Sequence, residues 1–426
     1  MADIGVAPAY VIQVNGVDLD LGVQQFVTSL EFESADGYAD AAKIHLINPD
    51  FVLTDKRIFQ PGNEMSIWLG YGSDLTHVGR VKIAKYRPTW PDAGDMPTIE
   101  VIGYSKDHDM MDNEPSKVKK VPPSSNSKAA KKSAKKKNEK LKASEGRHFK
   151  NATYADAVEA KAADYGFLTD IDPTPDQPHD FWQKAGLTDY QFVQGMANHT
   201  GFIFWVDGDA NGNWTLHFRD PEKGLVTQEK IFDFIYNDEF ATLLSFDGEM
   251  KFSGVQSKIT VETKNPLTGK IMQAEFEQNP ATDDPLFVGD LIKNVTPATT
   301  RDAREVLLVI GDLQVSAVTN KAFRNEAELI FWAKQWFRRN AEQFVMGEGK
   351  IIGDPRVMSR QTHKLSNLGS QFSGNWYFTR VSHQLSADNG YVCEFTARRT
   401  LDNSATDESD PESATLTALL GPGLRP

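Results

Sequence analysis

The stretch Leu187-Thr-Asp-Tyr-Gln-Phe-Val-Gln-Gly-Met-Ala-Asn-His-Thr-Gly-Phe-Ile-Phe-Trp-Val-Asp-Gly-Asp209 changes its hydrophobic period once, at Gly201. Before that glycine, Thr188 and Gln191 hold the two positions of a capping box. Phe192, Val193, Met196 and Ala197 then fall on one face at helical spacing. After it, Phe202-Ile-Phe-Trp-Val206 reads as a strand, Asp207-Gly-Asp-Ala-Asn-Gly-Asn213 as a turn, and Trp214-Thr-Leu-His-Phe218 as the returning strand. A second helix precedes this one. Thr153-Tyr-Ala-Asp156 forms its capping arrangement, Val158, Ala162 and Tyr165 recur at helical spacing, and Gly166 ends it. Helix, helix and hairpin make residues 148–236 a compact α+β domain.

Strands dominate on both sides of this domain. Toward the N-terminus, Asn15-Gly16 between β-prone residues is a hairpin signal, and Phe26–Phe32 continues the alternation. Met65–Gly72, Val78–Ala84 and Thr98–Tyr104 add three strands, so residues 1–112 read as a small β-barrel-like domain. Toward the C-terminus, Val255, Ser257, Ile259 and Val261 alternate with polar residues, and Asn265–Gly269 turns this strand back into Ile271–Phe276. One long helix, 326–345, is capped at Asn325, carries Leu329, Ala333, Phe337, Ala341 and Phe344 on a stripe, and stops at Gly347. Strands at Trp376–Ser382 and Tyr391–Ala397 complete a second barrel-like domain over residues 237–400, before an acidic tail, 401–426. A weak repeat relates Gly79–Tyr104 to Gly374–Thr396, as two similar barrels in one chain require. The expected fold class is α+β and β-rich: two small β-barrel-like domains, an intervening α+β domain and one long helix in the C-terminal half.

The 426 residues allow about three domains. No apolar run reaches the roughly 18–20 residues of a membrane-spanning helix. Met1-Ala-Asp-Ile-Gly-Val6 lacks the basic and apolar regions of a secretory signal, so synthesis in the cytoplasm is expected. The single cysteine, Cys393, excludes an intrachain disulfide framework. The net charge of −13 is segregated: Lys117–Lys142 holds eleven lysines against Glu139, a charge of +10, which leaves −23 on the rest. Such a body repels nucleic acid and suits a channel through which DNA slides. The lysine-rich segment, 113–147 with its flanks, reads either as a solvated insertion or as an electrostatic strap on an acidic partner. It has no interleaved aromatics on which bases stack, which disfavours nucleic-acid binding.

The motifs that carry chemistry elsewhere do not pass their geometric tests here. Asp207–Gly212 starts like a calcium loop, but Phe218 stands where a bidentate glutamate is required. Gly347-Glu-Gly-Lys-Ile-Ile-Gly353 has the wrong spacing for a phosphate loop, and its glycines read as a helix stop and a turn into the next strand. Asp107-His108-Asp109, read as strand residues, alternate faces and converge poorly on one ion. His148, His179, His199, His217, His363 and His383 are scattered without metal spacing. Cys393 alternates within a strand as a packed thiol. No catalytic, cofactor-binding or metal residue is therefore assigned, and no cofactor is expected.

Three stretches together are similar to the late control protein D family of contractile-tail baseplate hubs, which is related to the N-terminal hub part of VgrG. They are Leu187–Asp209, the helix Glu326–Phe344 running into Gly347–Pro355, and Leu365–His383. The resemblance implies a non-enzymatic virion protein of the tail baseplate, forming a homotrimer whose six barrels make a ring. Implied partners are a trimeric spike protein below and the tail tube or tube-initiator protein above. Tape measure protein and baseplate wedge are further implied partners. DNA would pass through the lumen without specific binding, and no membrane insertion is expected. Only about 26 residues follow the last strand, so the spike should be a separate polypeptide. Two rival classes are a baseplate-borne cell-wall glycosidase, with paired carboxylates in a cleft, and a tail-tip receptor- or carbohydrate-binding module. The core-like spacing of Phe202, Phe204, Phe337, Trp376 and Phe378 counts against the latter.

Overall fold

The computed structural model describes residues 7–92, 95–113, 146–220, 232–251, 258–265, 269–277, 314–318, 323, 326–341 and 345–399. The lysine-rich segment and the acidic tail lie outside these residues, as does the Asn325 cap.

The first unit comprises β1 (Pro8–Val14), β2 (Val17–Asp18), α1 (Leu21–Gln24), β3 (Val27–Ala35), β4 (Ala41–Ile47), α2 (Val52–Lys56), β5 (Glu64–Tyr71), β6 (Asp74–Thr89), β7 (Thr98–Tyr104) and α3 (Asp107–Met111). Asn15 and Gly16 both adopt left-handed backbone, with φ of 53° and 78°, the turn that matches the twist of a two-residue hairpin. The strands pair antiparallel in the order β3-β4-β7-β6-β5-β1-β2. Their period-two pattern buries Leu30 and Phe32 of β3, Ile44 and Leu46 of β4, and Ile99 and Val101 of β7 on one face. Gly79 of β6 leaves room for the Phe32 ring: a Cβ there would stand 2.1 Å from its Cζ. Asp107-His108-Asp109 is helical, not strand, because Ser105 and Lys106 carbonyls accept from His108 N and Asp109 N and close a short turn.

The second unit holds β8 (Arg147–Ala152), α4 (Tyr154–Tyr165), β9 (Leu168–Ile171), β10 (His179–Gln183), α5 (Asp189–Thr200), β11 (Ile203–Gly208) and β12 (Trp214–Arg219). Both expected helices have reciprocal capping boxes, Thr153 with Asp156 and Thr188 with Gln191, and both end on left-handed glycines, Gly166 and Gly201. β8 pairs with β10, and β11-β12-β9 forms a separate sheet. Val158, Val193, Ala197, Val206, Leu216 and Phe218 are among the residues that make its own apolar core.

The third unit contains β13 (Asp233–Ile235), β14 (Leu243–Met250), β15 (Lys258–Lys264), β16 (Ile271–Glu277), β17 (Gln314–Val318), α6 (Glu326–Ala341), β18 (Val345–Ile352), β19 (Gln361–Ser366), α7 (Gly369–Phe372), β20 (Gly374–Ser386) and β21 (Gly390–Arg399). Strands β14-β18-β21-β20-β19-β13 pair in sequence, and a bridge from Tyr236 to Leu243 returns the circuit to β14, so this ladder closes on itself. Closure removes most of the unpaired edge. β16-β15-β17 stand apart as a small sheet. α6 is described over Glu326–Ala341, residues 342–344 lie outside the described ones, and Val345 already belongs to β18. Leu329 and Ala333 are buried, while the side chains of Phe337, Ala341 and Phe344 lie outside the described ones.

Gly347 and Gly349 neither end that helix nor make a turn, since both lie inside β18. The physical reason is aromatic packing: a Cβ on Gly347 would meet Phe246 Cζ at 2.4 Å, and one on Gly349 would meet Phe395 Cζ at 2.5 Å. The two segments related by the weak repeat are the antiparallel hairpins β6–β7 and β20–β21, one in each strand-rich unit. β20 joins those units. Residues 374–378 pair with β19, and residues 380–386 pair along the same ladder with β3. The buried apolar residues of the two units consequently form one contiguous cluster, from Ile12 to Ala397.

Candidate functional site

The loop between β3 and β4, residues 36–40, is where all three units meet. Asp36 N donates to Thr379 O of β20, Ser105 N donates to Asp40 O, and the Tyr190 hydroxyl of α5 donates to Gly37 O at 3.0 Å. Arg360, just before β19, reaches into this loop. Its backbone is left-handed, with φ of 67°, a conformation that costs a non-glycine residue about 1–3 kcal/mol and persists only where surrounding contacts fix it. The contacts are present. Nη2 donates to Ala35 O at 2.5 Å and to Asp40 Oδ1 at 3.2 Å, and Nε lies 3.4 Å from Asp36 Oδ1. The Tyr377 hydroxyl donates to Asp36 Oδ2 at 3.1 Å.

On its other side the Arg360 guanidinium lies 4.7 Å from the ring centre of Trp205 in β11, a cation–π contact between units. Trp205 also stacks on His217 at 4.5 Å. Burial pushes the His217 imidazole toward neutrality, but Asp207 at 3.1 Å and Asp170 at 2.8 Å outweigh it and raise its pKa. The cluster has more carboxylate than cation. Burial raises Asp40 despite its Arg360 partner, whereas for Arg360 the surrounding acids outweigh burial and strengthen its charge. Those opposite directions describe one guanidinium shared by several acids.

A second clasp joins the first and second units. Glu64 of β5 accepts from Arg80 Nε at 2.9 Å and pairs with Lys106 Nζ at 2.7 Å; burial works against its ionisation, but the two cations hold its carboxyl below the usual range. Lys106 Nζ sits 4.9 Å from the Trp214 ring centre, and the 207–213 turn rests on Arg80. A Cβ on Gly208 would stand 2.8 Å from Arg80 Cβ, so the glycine permits that approach. Between the clasps lies a cavity of about 480 Å³ whose lining includes Phe32, His77, Asp207, Arg219, Met358 and Gln361.

Asp207–Gly212 is the β11–β12 turn, with Asn213 N donating to Asp209 Oδ1 at 2.8 Å. Asp107 is buried beside the junction, while Asp109 faces Lys82 at 2.9 Å, so the tripeptide does not converge on one point. His148 stacks on Trp182, and His199 lies 3.1 Å from Glu328 of α6. His179 Nδ1 lies 2.8 Å from Gln177 O. His363 and His383 are buried, and desolvation lowers each to about 4. Cys393 Sγ lies 3.2 Å from His383 Nδ1, yet burial pushes its thiol up to about 12, so both groups are neutral and packed. Phe202, Phe204, Trp376 and Phe378 are core residues. Among the described residues no cluster of three or more metal-ligating side chains occurs, and no helix is long and apolar enough to cross a membrane. Sequence reasoning missed Arg360: it lies some 320 positions from Asp40, and nothing local marks it.

A family model described as the Alg8 N-terminal domain matches residues 125–387, more than half of the chain. The chain belongs to the Alg8 N-terminal domain family. The match takes in the second unit and most of the third, and leaves out the first. No curated protein sequence matches. Among solved structures, this Alg8 N-terminal domain family member is similar to the 43 kDa tail protein of prophage MuSo2 from Shewanella oneidensis. That pair shares 13% identity at a TM-score of 0.59, covering 94% of this chain and 100% of the other. A tail protein from Neisseria meningitidis MC58 gives 12% identity, a TM-score of 0.59, and coverage of 94% and 99%. A type VI secretion system component of E. coli gives 12% and 0.53, covering 91% of this chain and 76% of that one. The chain therefore has the fold of phage tail proteins.

Proposed function

We propose that this chain is a structural baseplate hub of a contractile phage-type tail, acting as a trimer that adapts the tail tube to a central spike. The observation that carries this reading is the β3–β20 ladder, which fuses two strand-rich units into one body within a single chain. Three such chains supply six units, so one ring presents six-fold contacts to a tube and three-fold contacts to a trimeric spike. The fold shared with two tail proteins over 94% of the chain supports it. So does the negative charge outside the lysine-rich segment, which suits a lumen that DNA traverses without adhering. Under this reading the chain works by geometry, not by catalysis. The Arg360 and Glu64 clasps keep the α+β unit rigid against the fused strand units.

Native mass spectrometry of the full chain, alone and mixed with its candidate spike protein, tests the proposal. Trimers, or a three-to-three complex with the spike, are expected. A chain that stays monomeric at every concentration and ignores the spike refutes it. Release of sugar from purified peptidoglycan would replace it with the glycosidase reading.

A further inference from the structure

Strands β3, β4, β7, β6 and β5 of the first unit pair in the same order as β14, β18, β21, β20 and β19 of the third, and the two sets run in the same order along the chain. Their registers agree to the residue. β6–β7 and β20–β21 each carry one bulge, between Ile83 and Lys85 and between Phe378 and Arg380. β3–β4 and β14–β18 share another, between Val27 and Ser29 and between Leu243 and Ser245. A bulge is a built feature that fixes register, so the two units align on it: Lys85 corresponds to Arg380, and Ser245 to Ser29. The β4–β7 and β18–β21 ladders then coincide as well, with Ala42↔Gly103 on Gly347↔Ala397.

Within the chain, β20 joins the third unit to the first by pairing along β3. The counterparts of these two strands are β6 and β14, and each keeps an open edge at the equivalent place. Among the described residues, β6 beyond Ile83 pairs only with β7, and β14 beyond Leu243 pairs only with β18. We propose that β6 of one copy pairs antiparallel with β14 of the next, repeating between chains the joint that β20 and β3 make within one. This rests on the trimer reading above and names the surface that builds the trimer.

The alignment also gives the register. The in-chain pairs Val381↔Ser34, Ser382↔Glu33 and Gln384↔Glu31 become Tyr86↔Met250, Arg87↔Glu249 and Thr89↔Asp247 between copies. The charges fit. At the in-chain joint, Arg380 Nη2 lies 2.6 Å from Glu33 Oε2, and Ser382 Oγ donates to Glu31 Oε1 at 3.0 Å. The same positions between copies set Lys85 against Glu249 and Arg87 against Asp247, four side chains that are all exposed in the single chain. Lys251 falls opposite Lys85, and Glu249, 2.6 Å from the Lys251 Nζ, supplies the counter-charge there. Pro88 has no N–H to give the ladder, and it falls opposite Gly248, which has no side chain to crowd its ring. Because a basic edge meets an acidic one, the contact is head to tail, the kind that closes into a ring. It also covers two strand edges that a single chain leaves open.

The test is disulfide trapping in the full chain carrying Arg87→Cys and Glu249→Cys, beside native mass spectrometry of the parent chain, alone and with its candidate spike protein. Opposed residues of an antiparallel pair have Cα atoms about 4.5–5.5 Å apart, within disulfide reach. The native Cys393 is buried. Mild oxidation should give covalent dimers and trimers on a non-reducing gel. Arg87→Cys with Ser245→Cys, displaced by roughly 13 Å along the strand, should stay unlinked. A trimeric parent whose 87–249 pair does not link, or links no better than 87–245, overturns the pairing and leaves the trimer reading standing. A parent that is monomeric under every condition overturns both. If the cysteine variants do not fold, charge reversal decides. Lys85→Glu with Arg87→Glu should raise the concentration needed for half-assembly by about tenfold, and adding Asp247→Lys with Glu249→Lys should restore it. Assembly unchanged by the first pair, or not recovered by the second, overturns the proposal.

Discussion

Replacing Arg360 with methionine removes the guanidinium that Asp36 and Asp40 share while keeping much of the side-chain volume. Asp36 and Asp40 then remain with the partners other than Arg360 that they already have, in a site where Asp40 is 5% exposed. Breaking a buried ion pair from one side costs about 3–5 kcal/mol, because the remaining charge is stranded. Loss of the Trp205 contact adds about 0.5–2 kcal/mol. The left-handed backbone at this position is equally unfavourable for methionine, so no strain is recovered. A loss of about 4 kcal/mol is a large share of the roughly 5–15 kcal/mol that holds a typical domain together. Urea unfolding of the full chain near pH 8 measures it.

The pH dependence has a definite sign. Without Arg360 the folded-state pKa of Asp40 rises further above its unfolded value. A carboxyl raised in this way is not penalised below the unfolded pKa, and its stability contribution is lost as pH rises through the folded pKa. The deficit of Arg360→Met should therefore be largest near pH 8 and shrink toward about pH 5. Adding Asp36→Asn and Asp40→Asn should recover most of it, because the stranded charges are gone. A deficit below about 1 kcal/mol, typical of exposed pairs, or one equal at both pH values, refutes the argument that Arg360 neutralises buried charge.

Gly349→Ala places a methyl 2.5 Å from Phe395 Cζ and 2.8 Å from Ser245 O, so β14, β18 and β21 cannot all keep their positions. A loss of about 1–3 kcal/mol in the same unfolding measurement is expected, and an unchanged midpoint would show that the ring moves freely. Cys393, completely buried and raised to about 12, should not react with a chromogenic disulfide reagent in the native chain, and should react fully once the chain is unfolded in urea. Rapid native labelling would show that the His383 neighbour activates it.

What the chain determines by itself is local. Thr188 with Gln191, Thr153 with Asp156, and the stops at Gly166 and Gly201 specify both helices, because caps act through contacts three or four residues away. Asn15-Gly16 specifies its hairpin for the same reason, and alternation in β3, β4 and β7 specifies which side chains are buried. Where a glycine serves a distant ring the signal misleads. Gly347 and Gly349 resemble a stop and a turn, and only Phe246 and Phe395, brought across from β14 and β21, make them strand residues. Asp107-His108-Asp109 likewise becomes a helical turn with one acid inside the junction and one outside. The junction itself depends wholly on tertiary structure. Asp36, Asp40, Asp107, Trp205 and Arg360 are unremarkable where they stand in the chain; a buried charge takes its meaning from partners that the β3–β20 ladder brings together across more than three hundred residues.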